Sequence, residues 1–186
     1  MKKMLVILFL FSSHSALAAL DYGIEAGARQ QSGDVAGANF SANSRWGMQA
    51  GAFAHFPMEG GLAHFRTGIL YTQRPLESES DITGHKIQYN LDYLDFPLAI
   101  LFKPQEKFGI YMGFIASVNI AKSCTGDSAC KVSDIDTPNF PMIFGAMMKF
   151  NPKLGMNVYF DGANGSVAKG LGNYKSFGIN LTFSMD

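Results

Sequence analysis

No run of 18 consecutive apolar residues occurs anywhere in the sequence, so no segment reaches the length of about 20 that a membrane-crossing helix takes. Cysteine is almost missing. Cys124 and Cys130 are the only two, and His55, His64 and His85 lie far from them in sequence, so the four clustered ligands of a structural zinc site are not there. Charge is thin and balanced: 15 Lys and Arg face 15 Asp and Glu, which gives no electrostatic basis for nucleic-acid binding. The 20 glycines recur at strand spacing, and none opens a phosphate-cradling loop. No cofactor and no metal is expected.

What is present begins with an export signal. Lys2 and Lys3 precede an apolar run from Met4 to Phe11, followed by the small residues Ser15, Ala16, Ala18 and Ala19, the three-part form of a secretory signal peptide. Cleavage is expected after Ala18, leaving residues 19–186 as one domain. Without Lys2 and Lys3 that domain holds 13 basic and 15 acidic residues.

Through the rest of the chain apolar and polar residues alternate with period two, the mark of strands with one apolar and one polar face. Eight segments show it: Leu20 to Gln30, Arg45 to Phe56 with Phe53 out of phase, Gly61 to Arg74, Lys86 to Tyr93, Phe108 to Ala121, Phe140 to Phe150, Met156 to Asp161 and Ser176 to Ser184. The links between them alternate in length. Residues 57–60, 103–107 and 151–154 are short, whereas 31–44, 75–85, 122–139 and 162–173 are long and rich in Gly, Ser, Asn and Asp. Short periplasmic turns and long extracellular loops characterise outer-membrane barrels.

The fold predicted is therefore all-β, an eight-stranded antiparallel up-and-down transmembrane barrel. Hydrocarbon cannot hydrogen-bond the backbone, so a spanning sheet must close on itself. With the apolar parity outward, Glu25, Arg29, Arg45, His55, His64, Arg66, Lys86, Asp92, Lys149 and Asp161 fall in the lumen as a polar network of both signs. An eight-stranded barrel is just wide enough for its side chains to fill, which argues against a general porin. Aromatics near strand ends predict two interfacial girdles, with Trp46, Tyr71 and Tyr89 outside and Phe56, Phe102, Phe108, Phe150 and Phe183 on the short-turn side. A soluble lipocalin-like carrier would show the same alternation with the apolar face inward. The Gly-rich polar face, with few Lys and Glu, favours the membrane over that alternative, because solvated surfaces carry about a quarter or more charged residues.

Cys124 and Cys130 stand six apart in a Gly-, Ser- and Asp-containing segment, and in an exported chain this spacing predicts a local disulfide. From Tyr89 to Phe102 the sequence reads Tyr-Asn-Leu-Asp-Tyr-Leu-Asp-Phe-Pro-Leu-Ala-Ile-Leu-Phe. Its Tyr-Leu-acidic-apolar-Pro-Leu portion, residues 93–98, resembles the PorT-like outer membrane protein beta-barrel domain family. That resemblance implies an eight-stranded barrel of the small OmpA or OmpX type and brings no catalytic residue with it. The chain departs from the common aromatic last residue, ending Phe183-Ser184-Met185-Asp186. Central strands avoid proline, and the apolar parity slips after Tyr93, so a β-bulge is predicted at Tyr93, Leu94 and Asp95, beside Pro97.

The chain is expected not to be an enzyme. A turn centred on Glu59 and Gly60 would set His55 opposite His64, a pair that reads as a polar plug beside Arg66. His85 with Ser80 and Asp81 is the best triad among loop residues, without fixed geometry. Glu77, Glu79, Asp81, Asp127, Asp134 and Asp136 offer oxygen ligands to calcium, though a solvated loop explains them more simply. The expected role is structural or surface contact through long extracellular loops, with outer-membrane lipid around a monomer and a protein or cell surface as partner. An envelope-lipid hydrolase at the rim and a narrow channel are the alternatives.

Overall fold

The computed structural model describes residues 20–35, 40–126, 130, 132, 135–168 and 171–185. Among these, nine strands form one antiparallel sheet: β1 (Asp21–Val35), β2 (Phe40–Pro57), β3 (Ala63–Gln73), β4 (Leu76–Ser80), β5 (Lys86–Gln105), β6 (Phe108–Thr125), β7 (Met142–Lys149), β8 (Leu154–Ala168) and β9 (Leu171–Ser184). β1 pairs with both β2 and β9, which closes the ring. β3 and β4 occupy a single place in it, each lying between β2 and β5. Pro75, which has no N–H to give a ladder, separates them. The barrel therefore has eight positions, as the alternation predicts.

Alternation inside each strand decides which way it faces. Trp46, Met48, Ile69, Ile100, Met112, Phe114, Phe144, Phe160 and Leu181 are exposed on the outside, while Glu25, Arg29, Arg66 and Asp161 are buried within. This is the membrane arrangement and the reverse of a soluble carrier. From Trp46 to Phe56, at roughly 3.3 Å per residue and a tilt of roughly 40°, the wall spans about 25 Å, the height of a lipid-facing apolar band.

Two of the four predicted long loops, 31–44 and 162–173, are largely strand, and a third, 75–85, is partly so. β1 and β2 continue to Val35 and from Phe40, β4 fills much of 75–85, and β8 and β9 continue to Ala168 and from Leu171. In β4 the apolar residue Leu76 is followed only by Glu and Ser, and β1 past Gln31 offers Val35 alone, so hydrophobic periodicity does not mark these extensions. Both ends of the described barrel lie on the short-turn side, where the Met185 N–H donates to the Tyr22 carbonyl at 2.8 Å.

The predicted bulge is displaced. β5 runs unbroken through Asp95 and Pro97, paired in constant register with β6 from Tyr93↔Asn119 to Phe102↔Ile110. The register steps between Asp92↔Ala121 and Tyr93↔Asn119, so the extra residue is Ile120 on β6, not Leu94 or Asp95. Toward β3, Arg66↔Ala99 and Leu70↔Asp95 share one register, which sets Pro97 opposite Gly68. The proline's missing donor is thus absorbed by a local gap in pairing with β3 rather than by a bulge.

Candidate functional site

β1 presents Asp21, Glu25 and Arg29 at every fourth residue, all on its inward parity. Each anchors one layer of the lumen. In the lowest, the Asp21 carboxylate accepts from Lys103 and Lys149 at 3.0 Å each, from the Ser184 hydroxyl at 3.0 Å and from His55 Nδ1 at 3.1 Å. Arg66 donates to His55 Nε2 at 2.7 Å, so that nitrogen is the acceptor and the imidazole is neutral with its proton on Nδ1. Above it Arg66 grips both Glu25 oxygens, at 2.8 and 2.9 Å, and Asn157 donates to Glu25 at 2.7 Å. Arg29 then pairs with Asp161 at 2.9 Å and reaches Gln31 at 3.1 Å. Arg74 pairs with Asp95 at 2.8 Å and with Ser117 at 3.0 Å. Four layers of compensated charge fill the tube from below to the outer mouth.

The side of the lumen formed by β5 to β8 is different. Ala99, Leu101, Tyr111, Ile115, Ile143, Met147 and Tyr159 pack there as one apolar cluster. Tyr111 lies across from Gly145, Gly145 from Tyr159, and Tyr159 from Gly178. Each tyrosine ring occupies the space that a Cβ on the neighbouring glycine would need, so glycine is required at 145 and 178 to seat the rings. Arg66 stacks over Tyr111 at 4.9 Å and Tyr159 donates to Gln49 at 2.9 Å, which joins the two sides. The void between them, bounded by Glu25, Arg66, Asp95, Tyr111 and Asn180 among others, measures about 10 Å³, room for about one water.

Of the ten residues predicted for the lumen, Glu25, Arg29, His55, Arg66 and Asp161 are buried in it, and Lys149 reaches its lower mouth. Arg45 is half-buried near the outer mouth. Lys86 and Asp92 are not lumenal. Lys86 stands above the barrel with 54% of its side chain exposed, and Asp92 lies on the outer wall beside Arg45 and Trp46. Leu91 and Tyr93 take the inward parity instead. His64 faces Pro57 rather than His55, which pairs with Arg66. The turn runs from Met58 to Leu62 with Gly60 and Gly61 at positive φ, one residue further along than a centre on Glu59 and Gly60, and this moves the register by two.

Sequence reasoning missed Asp21, Arg74 and Asp95 as lumen charges, and the signal lies in Asp95. A carboxylate in the middle of an apolar strand cannot face lipid, and counting back by twos from it puts Tyr93 and Leu91 inward. Seven of the eight predicted girdle residues, Trp46, Tyr71, Phe56, Phe102, Phe108, Phe150 and Phe183, are exposed on the wall or at its turns. Tyr89 is the exception. It packs with Val35, Val132 and Ile135 against Leu76, Leu91, Tyr93 and Tyr174, an apolar plug under the outer mouth.

Above the membrane the wall divides. β1 leaves β2 after Gln31↔Arg45, so β2, β4, β5 and β6 continue upward as one blade and β1, β9 and β8 as another. The plug joins them, drawing residues from both. A disulfide links Cys124 at the end of β6 to Cys130, with Cα atoms 5.9 Å apart, and holds the segment that delivers Val132 and Ile135. On the first blade Lys86 pairs with Glu77 at 3.3 Å and Glu79 at 3.4 Å; its hydrogen bonds to these carboxylates raise it above the ordinary lysine range.

The Ser80 hydroxyl accepts from the Thr83 N–H at 3.4 Å, and the Ser80 N–H donates to the His85 carbonyl at 3.0 Å. These residues shape a turn, and among the described residues no hydrogen bond joins the Ser80 hydroxyl to the His85 imidazole. Glu77 and Glu79 share Lys86, and no group of three metal-ligating side chains is present among the described residues. Asp127 and Asp134 lie outside the described residues, as do residues 1–18, the expected signal peptide.

No curated protein matches the sequence. Among solved structures the chain is similar to Ail, the attachment invasion locus protein of Yersinia pestis, crystallised with the heparin analogue sucrose octasulfate. The identity is 9%, covering 89% of this chain and 99% of Ail, with a TM-score of 0.52. It is also similar to the outer membrane protein OprG of Pseudomonas aeruginosa, at 12% identity over 89% of this chain and 91% of OprG, with a TM-score of 0.47. The Ail match, at that identity, speaks to the eight-stranded fold alone. Residues 11–163 match the model of one family, and the chain belongs to it: the outer membrane protein beta-barrel domain family.

Proposed function

We propose that this outer-membrane barrel is a non-enzymatic surface-contact protein whose working part is the pair of extracellular blades. The observation that carries the reading is the division of labour along the axis: charge layers and an apolar plug fill the lumen, while strands continue past the membrane at the outer end alone. A tube filled in this way supports neither a channel nor a ligand carrier. The Ser80 hydroxyl is engaged with the Thr83 N–H rather than with His85, which does not favour the rim hydrolase. Asp and Glu outnumber Lys in the extracellular segments, so the surface favours a partner that carries cationic groups, unlike the polysulfated ligand crystallised with Ail. Residues 1–18 serve in this reading as the cleaved signal peptide, the mature barrel is a monomer, and the string at residues 93–98 supports a likeness to the PorT-like members.

The test is to replace residues 77–87 by a two-residue turn and compare cells displaying the intact and shortened chains. The shortened barrel is expected to keep its heat-modifiable gel mobility and to lose adherence to protein-coated surfaces. Equal adherence by a folded, shortened barrel would refute the reading.

A further inference from the structure

The outer wall has an apolar concave stretch with a charge at its edge. Across β6, β7 and β8 a trough of about 530 Å³ is lined by Met112, Phe114, Met142, Phe144 and Phe160, with Lys175 at its upper end. All five apolar side chains are exposed.

Pairing fixes the depth of this trough. β7 begins at Met142, whose partner on β8 is Gly162. Beyond that pair β6 is accompanied by Asn139 and Pro141, whereas β8 runs on to Ala168 with β9 as its one partner among the described residues. Unpaired N–H and C=O groups cannot stand in hydrocarbon, where each costs several kcal/mol. The hydrocarbon therefore ends near the Met142–Gly162 pair. Lys175 lies directly across from Gly162, at headgroup depth, and the trough falls away beneath it into the leaflet on the long-loop side.

Lys175 is also exposed. Lys86, Lys103 and Lys149 are each held by a carboxylate, but no carboxylate among the described residues lies within 4 Å of Lys175. A lone cation above an apolar trough matches a lipid with a phosphate at the surface and acyl chains below. The outer leaflet of such a membrane is built of phosphorylated, multiply acylated glycolipid.

We propose that the trough seats an acyl chain of such a glycolipid, lipid A, with the Lys175 ammonium on its phosphate. Native mass spectrometry of the full chain in detergent, offered lipid A, dephosphorylated lipid A or phosphatidylglycerol, tests it. The expected result is one retained lipid A per barrel, with retention lowered about fivefold in Lys175→Gln, the weight of one lysine at a charged membrane surface. Phe144→Ala, which removes one wall of the trough, lowers it as well, and Lys153→Gln on the short-turn side leaves it unchanged. Heat-modifiable mobility checks that each variant is folded. Equal retention by folded Lys175→Gln and wild type overturns the site, and so does unchanged retention in Phe144→Ala. Equal retention of dephosphorylated lipid A or of phosphatidylglycerol overturns the assignment of its occupant.

Discussion

The two sides of the lumen solve one packing problem with opposite chemistry. On the side of β1, β2, β3 and β9, long charged side chains cross the tube and end on carboxylates; on the side of β5 to β8, tyrosines lie flat over glycines and aliphatic residues fill the rest. Arg66 belongs to both, with its guanidinium on Glu25 and its face on Tyr111. The difference shows why the charges are tolerable. A buried ion pair is weak evidence for stability because desolvation offsets its attraction, but here each buried arginine has its own carboxylate, and the apolar side excludes the water that would otherwise compete. The charged side ties strands to one another across the lumen, and the apolar side supplies packing.

The sharpest way to break this comparison is to remove one charge at the junction. Arg66→Met leaves Glu25 buried without its partner and is expected to cost about 3–5 kcal/mol, the usual cost of orphaning a buried charge. Adding Glu25→Leu should recover most of that loss. Urea unfolding of the barrel in detergent measures both. If the double variant is as unstable as the single, the pair is more than mutual neutralisation and the charged side packs as tightly as the apolar one.

The apolar side is probed through its glycines. Gly178→Ala puts a methyl where the Tyr159 ring lies and is expected to cost about 1–3 kcal/mol, the range for overpacking. The companion Gly178→Ala with Tyr159→Leu relieves the clash, and its unfolding midpoint should return toward that of Tyr159→Leu alone. Additive losses would mean that ring and glycine are independent and that the tyrosine–glycine row is incidental.

How much of this was legible in the sequence follows from where each residue's environment imposes a period. Within the membrane, lipid on one side and charge on the other force strict alternation, so β1, β2, β6 and β9 read correctly down to Phe53 as the inward exception. The fourth segment was misread because Leu91 and Tyr93 are apolar residues that face inward, into a plug that an all-polar lumen does not lead one to expect. Glycine-rich turns fix register only to within a residue, and that is enough to exchange Arg66 for His64 as the neighbour of His55. The blades leave no period, since each gives only isolated apolar residues such as Val35 and Leu76 to the plug and is polar elsewhere.

The smallest effect belongs to the rim, where the chemistry of the lumen recurs without its surroundings. Lys86 pairs with Glu77 and Glu79 at 3.3 and 3.4 Å, not far from the 2.8 Å of Arg66 and Glu25, yet its ammonium is open to water. Exposed pairs are screened by salt and contribute little. Lys86→Gln is therefore expected to leave the unfolding midpoint unchanged. What the pair does contribute has a definite sign: the folded lysine holds its proton more tightly than the unfolded one, so the contribution is present at neutral pH and disappears as pH rises above about 10.4, the ordinary lysine value. A midpoint for Lys86→Gln as low as that of Arg66→Met would mean that pairing, rather than enclosure by the apolar half, gives the lumen charges their weight.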